Sequence, residues 1–383
     1  MIDKQLALHT IGHFSIDAIC AAVIFRHVSD PMFLYDPVYY SDDVEIKKYT
    51  LMMFILLSII SFAFRPLAGI ILDRKPLMTE YVSWSFVFPM VAVLPFLNIW
   101  IKIFLLGIGN CLFHAAAGSA VVKKSSGKAA PLGVFIAGGG IGTIVGMTFG
   151  PDPLTIPVLL VLLAAMLALS FEFPDTVPLR RTILLPPINR NAVFFLSLCL
   201  LIRSFFDYMP FTELPKTNDA VYIIIFGAII GKFVGGFLAD KFSIRRTITI
   251  SLIWAAIIAI FIPATKFTSL WSVVHLLMTI SIPVTVFLMC KAMPGRPSLA
   301  IGWAAACTLP GMIAPDYKFT DYSSILVMYT ALFVTVALIL LASKEVKKTD
   351  DMLKLLSAVA AREKQRKLQK INRNVSNPDQ GRQ

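Results

Sequence analysis

His9, His13 and Asp17 stand at four-residue intervals in one apolar stretch near the N-terminus, so on a helix they lie along one face. A carboxylate in that setting has two readings. It is a proton carrier that changes protonation as its surroundings change, or the fixed acid of an ion pair with a neighbouring segment. Asp17 is the candidate carrier. His13, one turn away, is a candidate proton relay or hydrogen-bond donor, with a satisfied structural histidine as the other reading. His9 lies closer to the end of the stretch and reads as structural.

Arg65, Asn110, Arg203, Lys232 and His275 also fall near the middle of apolar stretches, with His114 one turn from Asn110 and Asp207 one turn from Arg203. The acids at that depth are too few to neutralise Arg65, Arg203 and Lys232 and also carry a proton. An anionic group on a substrate, such as a carboxylate, phosphate or phosphonate, clamped by Arg65 and Lys232, would complete the balance. Structural ion pairs, or side chains reaching the membrane interface, are the alternative. Asn110, His114, Arg203 and His275 are further candidates for substrate contact, or for hydrogen bonds between helices.

The elements that must position these groups announce themselves by repetition. Phe64 to Lys75 recurs as Gly231 to Phe242: a cation within apolar sequence, then a glycine, then an Asp followed by a cation. Arg65 precedes Asp73, and Lys232 precedes Asp240, by the same interval, about 12 Å along a helix. Two copies in register imply two halves of similar layout.

The bulk numbers agree with such a plan. The 383 residues are 57% hydrophobic and 15% charged, where soluble domains run at about 45–50% and about 25%. The chain offers about twelve apolar stretches of spanning length: roughly 5–27, 49–73, 77–97, 99–122, 129–150, 154–173, 191–210, 218–241, 245–264, 267–291, 297–314 and 322–343. They leave no room for a separate soluble catalytic domain. The expectation is an all-α polytopic membrane protein whose six-helix halves comprise residues 1–173 and 191–343. A basic, proline-containing linker (174–190) joins them, and a basic tail (344–383) follows.

Lys/Arg bias in the short loops sets the orientation. Arg74-Lys75, Lys123-Lys124-Lys128, Arg180-Arg181-Arg190, Lys241-Arg245-Arg246 and Lys291-Arg296 fall on one side. Asp30, Asp36, Asp42, Asp43, Glu45, Asp152, Glu213, Asp316 and Asp321 fall on the other. Both termini are therefore expected in the cytoplasm, and the net charge of +12 reads as topology rather than nucleic-acid binding. In the tail, Thr349-Asp350-Asp351 reads as a helix start. A short apolar stripe and a basic run follow, a solvated topology signal or a helix resting on anionic lipid, and the end from Asn372 is expected to be disordered. The five cysteines lie in apolar stretches without paired metal spacing and read as packing residues. The five tryptophans read as packing or interface anchors.

The segment Gly236-Phe237-Leu238-Ala239-Asp240-Lys241-Phe242-Ser243-Ile244-Arg245-Arg246 resembles the Gly-x-Leu-Ala-Asp-Arg-x-Gly-Arg-Arg loop of the major facilitator superfamily, with Ser243 in place of the loop's glycine. The first copy keeps Gly69, Asp73 and Arg74, with Pro76 for the glycine and Leu77-Met78 for the cations. The resemblance covers residues 5–343. It implies that fold and a cytoplasmic latch made by the loop Asp and cations, here Gly69, Asp73, Arg74, Gly236, Asp240, Lys241, Arg245 and Arg246. The latch is expected to be more complete in the second half. Gly107-Ile108-Gly109 to Phe113-His114 is similar to a segment of fosmidomycin-resistance-type efflux members, with Ala115 in place of the usual Pro. The spacing of Gly133, Gly142 and Gly146 resembles the superfamily's antiporter motif, with Met147 in place of its Pro. These glycines suit close helix packing, or a hinge.

The resemblance implies a secondary active transporter working by alternating access, and Asp17 suggests proton coupling. Efflux of a small anionic molecule is slightly favoured over uptake. A transporter-fold sensor signalling through its tail is the rival of another class. Neither a phosphate-binding Gly-x-x-x-x-Gly-Lys-Ser/Thr loop nor a metal-spaced His/Glu pattern occurs, so no enzyme activity, metal or cofactor is expected. The expected partners are the substrate, protons and membrane lipid. The expected setting is a monomer in the plasma membrane.

Overall fold

The computed structural model describes residues 3–28, 43–74, 79–173, 186–207, 218–265, 268–313 and 322–376, and all regular structure among them is helical. In chain order the helices are α1 (Lys4–Val28), α2 (Asp43–Ser58), a π-helical turn (Ile59–Ala63), α3 (Arg65–Leu72), α4 (Thr79–Ala92), α5 (Ile99–Lys124), α6 (Ala130–Phe149) and α7 (Thr155–Glu172). They continue as α8 (Arg190–Asp207), α9 (Asn218–Phe242), α10 (Ile244–Thr265), α11 (Thr268–Thr279), α12 (Ser281–Ala292), α13 (Pro297–Ile313) and α14 (Tyr322–Ser376). Helices satisfy their own backbone groups, which a lipid environment demands.

Local sequence sets several of the ends. The Asn98 side chain caps α5 by accepting the Trp100 N–H at 2.9 Å. Pro66 and Pro131 open α3 and α6, where a missing N–H costs nothing. Pro66 also explains why the second apolar stretch does not run through as one regular helix. Its π turn precedes Phe64, and α3 then restarts on the proline.

Among the described residues, eight helical segments are long and apolar enough to cross a membrane. The expected figure of about twelve is not reached on length and hydropathy. Helix α4 has only 14 residues, with Pro89 inside it, and α13 has 17. Helix α8 carries Arg190, Arg203 and Asp207, and α10 opens on Arg245 and Arg246. The outer surface is apolar: Phe96, Leu154, Val158, Val161, Phe171, Phe194, Phe226 and Phe333 are exposed. That is the inverse of a water-soluble bundle. All five cysteines are free thiols, four of them buried.

Helix α1 is among the most enclosed and packs on the glycine-rich face of α6. A Cβ at Gly142 or Gly146 would run into the backbone of Phe14 or Ala18. Packing, the first of the two readings of these glycines, is what they do in this conformation. The tail departs from expectation: no helix starts at Thr349, because α14 runs unbroken from the last apolar stretch to Ser376. The Thr349 hydroxyl bonds back to the Glu345 carbonyl and accepts from Asn189, as a residue inside a helix does. Helix therefore covers Asn372 to Ser376, part of the end expected to be disordered. Lys75 to Met78, most of the linker with Arg180 and Arg181, and the acidic positions Asp30, Asp36, Asp42, Glu213, Asp316 and Asp321 lie outside the described residues, as do the side chains of Asp43, Glu45 and Asp207.

Candidate functional site

Helices α1 and α5 and the π-bulged second stretch bring five of the expected residues together. The Asp17 carboxylate lies 3.3 Å from His13 Nε2 through Oδ2, and 3.8 Å from His114 Nε2 through Oδ1. Asn110 Nδ2 donates to Asp17 Oδ1 at 2.8 Å, and Asn110 Oδ1 accepts from Arg65 Nη2 at 2.9 Å. One amide thus bridges the buried cation and the buried acid, using its donor for one and its acceptor for the other. The Arg65 guanidinium also donates to the Ser61 carbonyl at 3.0 Å and sits 4.5 Å over the Phe62 ring. Ser61 and Phe62 belong to the π turn. The irregular backbone there therefore serves the buried charge.

Both imidazoles are oriented by backbone. His13 Nδ1 is 2.7 Å from the Phe135 carbonyl of α6, and His114 Nδ1 is 2.8 Å from the Asn110 carbonyl of its own helix. A carbonyl only accepts, so each Nδ1 carries a proton and each Nε2 is turned toward Asp17. The two rings meet edge to face, 4.3 Å apart. Gly139 closes the other side, where any Cβ would collide with His13 Nε2 and Asp17 Oδ2. His13 is 5% exposed, Asp17 18% and His114 12%.

The other expected site residues stand on other helices or further along α1. Arg203 is buried on α8 and donates to the Ser281 hydroxyl and, at 2.9 Å, to the Met278 carbonyl. It thus ties α8 to the junction of α11 and α12. Lys232 is half-buried on α9, and its carbonyl lies where a Cβ on Gly133 would meet it at 2.9 Å. His275 is buried in α11. His9 is buried on α1, the same helix as His13.

At the basic-loop end the two repeated motifs make the same contact twice. Asp73, at the end of α3, accepts the N–H groups of Ser298 and Leu299, both at 2.9 Å, at the start of α13. Asp240, near the end of α9, accepts those of Ala129 and Ala130, at 2.8 and 2.9 Å, at the start of α6. A carboxylate at a helix N-terminus satisfies orphan donors and complements the helix dipole. Each contact also needs a glycine. A Cβ on Gly69 would strike the Ser298 backbone, and one on Gly236 the Ala129–Ala130 backbone.

The first copy, expected to be the less complete, makes the same pair of bonds and buries its carboxylate more deeply. Burial raises the Asp73 carboxyl above its ordinary range, against the pull of the Leu299 and Ser298 bonds and the Lys123 charge. Ser243, in place of glycine, adopts φ 85°, the left-handed region that glycine would enter freely. Arg74, Lys241, Arg245 and Arg246 are exposed, with Lys241 over the Phe242 ring and Arg245 donating to the Ser343 hydroxyl. The acceptor helices, the Phe135 carbonyl, Ser61 and Gly139 were not singled out from sequence. Only the triple glycine at 138–140 carried a local signal.

No family model matches the sequence, and no curated protein matches it. Solved structures do. A major facilitator superfamily transporter, FucP, in the outward conformation superposes with a TM-score of 0.63 at 13% identity, over 90% of this chain and 98% of that one. The human organic anion transporter MFSD10 gives 0.63 at 12%, over 90% and 100%. A bacterial homologue of the iron transporter ferroportin, in an outward-facing state, gives 0.57 at 12%, over 91% and 99%. At such identities the likeness speaks to architecture: the chain is a polytopic, all-α membrane protein with the major facilitator superfamily fold.

Proposed function

We propose that the chain is a proton-coupled secondary carrier that moves a small organic anion by alternating access between two six-helix halves, residues 1–173 and 191–343. The observation that carries this reading is the Arg65–Asn110–Asp17 relay. Burying an ionised pair in a span is expensive, and an inserted amide leaves each charge replaceable. A proton delivered to Asp17 through His13 or His114 cancels its charge and loosens Asn110. The Arg65 guanidinium is then open to an anionic group on the substrate, with Lys232 as its counterpart from the other half. A buried guanidinium held through a replaceable amide suits an anionic cargo. Two proteins of similar structure are described as a fucose:proton symporter and an organic anion transporter.

The loop-charge bias supports a cytoplasmic side that holds the Asp73 and Asp240 ends, both termini and the 174–190 linker, and the bonds of Asp73 to α13 and of Asp240 to α6 support a conformation closed there. The fourth-stretch resemblance tips direction toward efflux. The test is counterflow in proteoliposomes under an imposed pH gradient. Wild-type protein should concentrate an anionic substrate, and Asp17→Asn should lose gradient-driven accumulation while keeping exchange. Unchanged accumulation in Asp17→Asn would refute the proton assignment. Uptake independent of Arg65→Ala and Lys232→Ala would refute the anion clamp.

A further inference from the structure

The arrangement around Asp17 that could pass a proton also places three metal-ligating atoms together. Because both Nδ1 atoms are committed to carbonyls, His13 and His114 direct Nε2 toward the same carboxylate. Three acceptors therefore converge, all within 4.8 Å of one another. A positive charge holds such a set together, either a proton on Nε2 or a metal ion between the three atoms.

We propose that His13 Nε2, His114 Nε2 and an Asp17 oxygen form a binding site for a divalent transition-metal ion of the zinc, cobalt or nickel class, departing from the expectation of no metal. The donor set decides the class. Two imidazoles and one carboxylate suit such metals, whereas magnesium, calcium and sodium prefer oxygen. The outer contacts match what metal-bound histidines require, since the far nitrogen of each ring is hydrogen-bonded and its orientation set. The 3.3 Å between His13 Nε2 and Asp17 Oδ2 is close to the separation of two ligands on one tetrahedral ion, about 3.4 Å for bonds near 2.1 Å. His114 Nε2, within 4.8 Å of the other two, swings inward to complete the set. The site is three-coordinate from protein, leaving an open position for water or a ligand.

Gly139 lies directly against the pair, since a Cβ there would collide with both His13 Nε2 and Asp17 Oδ2, so the ion's open side is the one that faces His114. Facing the site from the other elements are Arg65 through Asn110, and the Phe113 and Phe135 rings. The arginine opposes a second positive charge, and the bridging amide lies between it and the carboxylate. Occupancy ties α1 to α5 and withdraws Asp17 from proton exchange, so the ion acts as an inhibitor of the carrier.

The test uses full-length, tag-free protein in detergent. Binding of Co²⁺ is followed by its visible ligand-field bands, and Zn²⁺ by competition against them. Saturable, one-to-one binding with tetrahedral-type bands is expected, weakened at least about tenfold in His114→Gln and in His13→Gln, and unchanged in His9→Gln. Intact secondary structure by circular dichroism separates loss of a ligand from loss of fold. Gly139→Ala, whose methyl would push His13 Nε2 and Asp17 Oδ2 from their places, should also weaken binding. Absence of saturable Co²⁺ binding, or equal weakening by His9→Gln and His114→Gln, overturns the proposal. Because this readout involves no transport, its failure leaves the carrier reading standing, and failure of counterflow leaves the metal site standing.

Discussion

At the scale of residues, Asn110 holds the site together. Its amide donates to Asp17 and accepts from Arg65, and no apolar residue of similar size replaces it. Asn110→Leu leaves Arg65 and Asp17 buried without their bridge. The apparent melting temperature in detergent should fall by an amount corresponding to about 1–3 kcal/mol. Adding Arg65→Met should recover part of that loss, because removing a stranded buried charge costs less than keeping it. A double variant no more stable than Asn110→Leu alone would show that Arg65 does not depend on the amide. Asp17, His13, Asn110, His114 and Arg65 could each be picked out from sequence as polar groups at mid-depth. Their grouping could not, because which faces of three separate helices meet depends on packing rather than on spacing.

At the scale of elements, the latch works by helix ends. Asp73 and Asp240 each reach a helix N-terminus far along the chain, and backbone donors leave no mark in side-chain identity. The motif was legible and its target was not. The lost cations of the first copy, Leu77-Met78, suggested a weaker contact. The contact depends instead on the carboxylate and on glycine clearance at Gly69, both retained. Asp73→Asn and Asp240→Asn each keep one acceptor and lose the charge. Each should shift the equilibrium away from the closed basic end by about 1–2 kcal/mol, roughly tenfold. Distance distributions between spin labels on either side of each contact would measure it. A shift in Asp240→Asn alone would restore the inequality that the loop cations suggested.

For the whole molecule, the choice between carrier and sensor turns on α14. Its 55 residues make a helix about 80 Å long, against a hydrocarbon core of about 30 Å, so the basic segment continues the last span beyond the membrane. The root of that extension is anchored: Lys291 pairs with Asp350 at 2.8 Å, and Asn189 bonds to Thr349 and to the Glu345 carbonyl. Truncation after Asp351 spares these ties. A carrier should then retain its substrate flux within about twofold, a change of roughly 0.4 kcal/mol in the barrier. Loss of flux in a truncated protein of unchanged melting temperature would make the extension part of the working machine.

Composition and hydropathy by themselves determined that this chain lives in a membrane, that its regular structure is helical, and where its apolar stretches begin and end. Those properties belong to each segment separately, since a helix in lipid satisfies its own backbone. Repetition of the Arg65–Asp73 and Lys232–Asp240 pattern pointed to two halves of similar layout. Tertiary structure decided the rest. It assigned Arg65 to an amide bridge with Asp17 and Arg203 to the α11–α12 junction. It also turned two imidazole nitrogens onto one carboxylate and capped two distant helices with the repeated aspartates. Each of these depends on which side chain or backbone end lies opposite. In a bundle whose helices are apolar nearly all round, hydrophobic periodicity does not say which face that is.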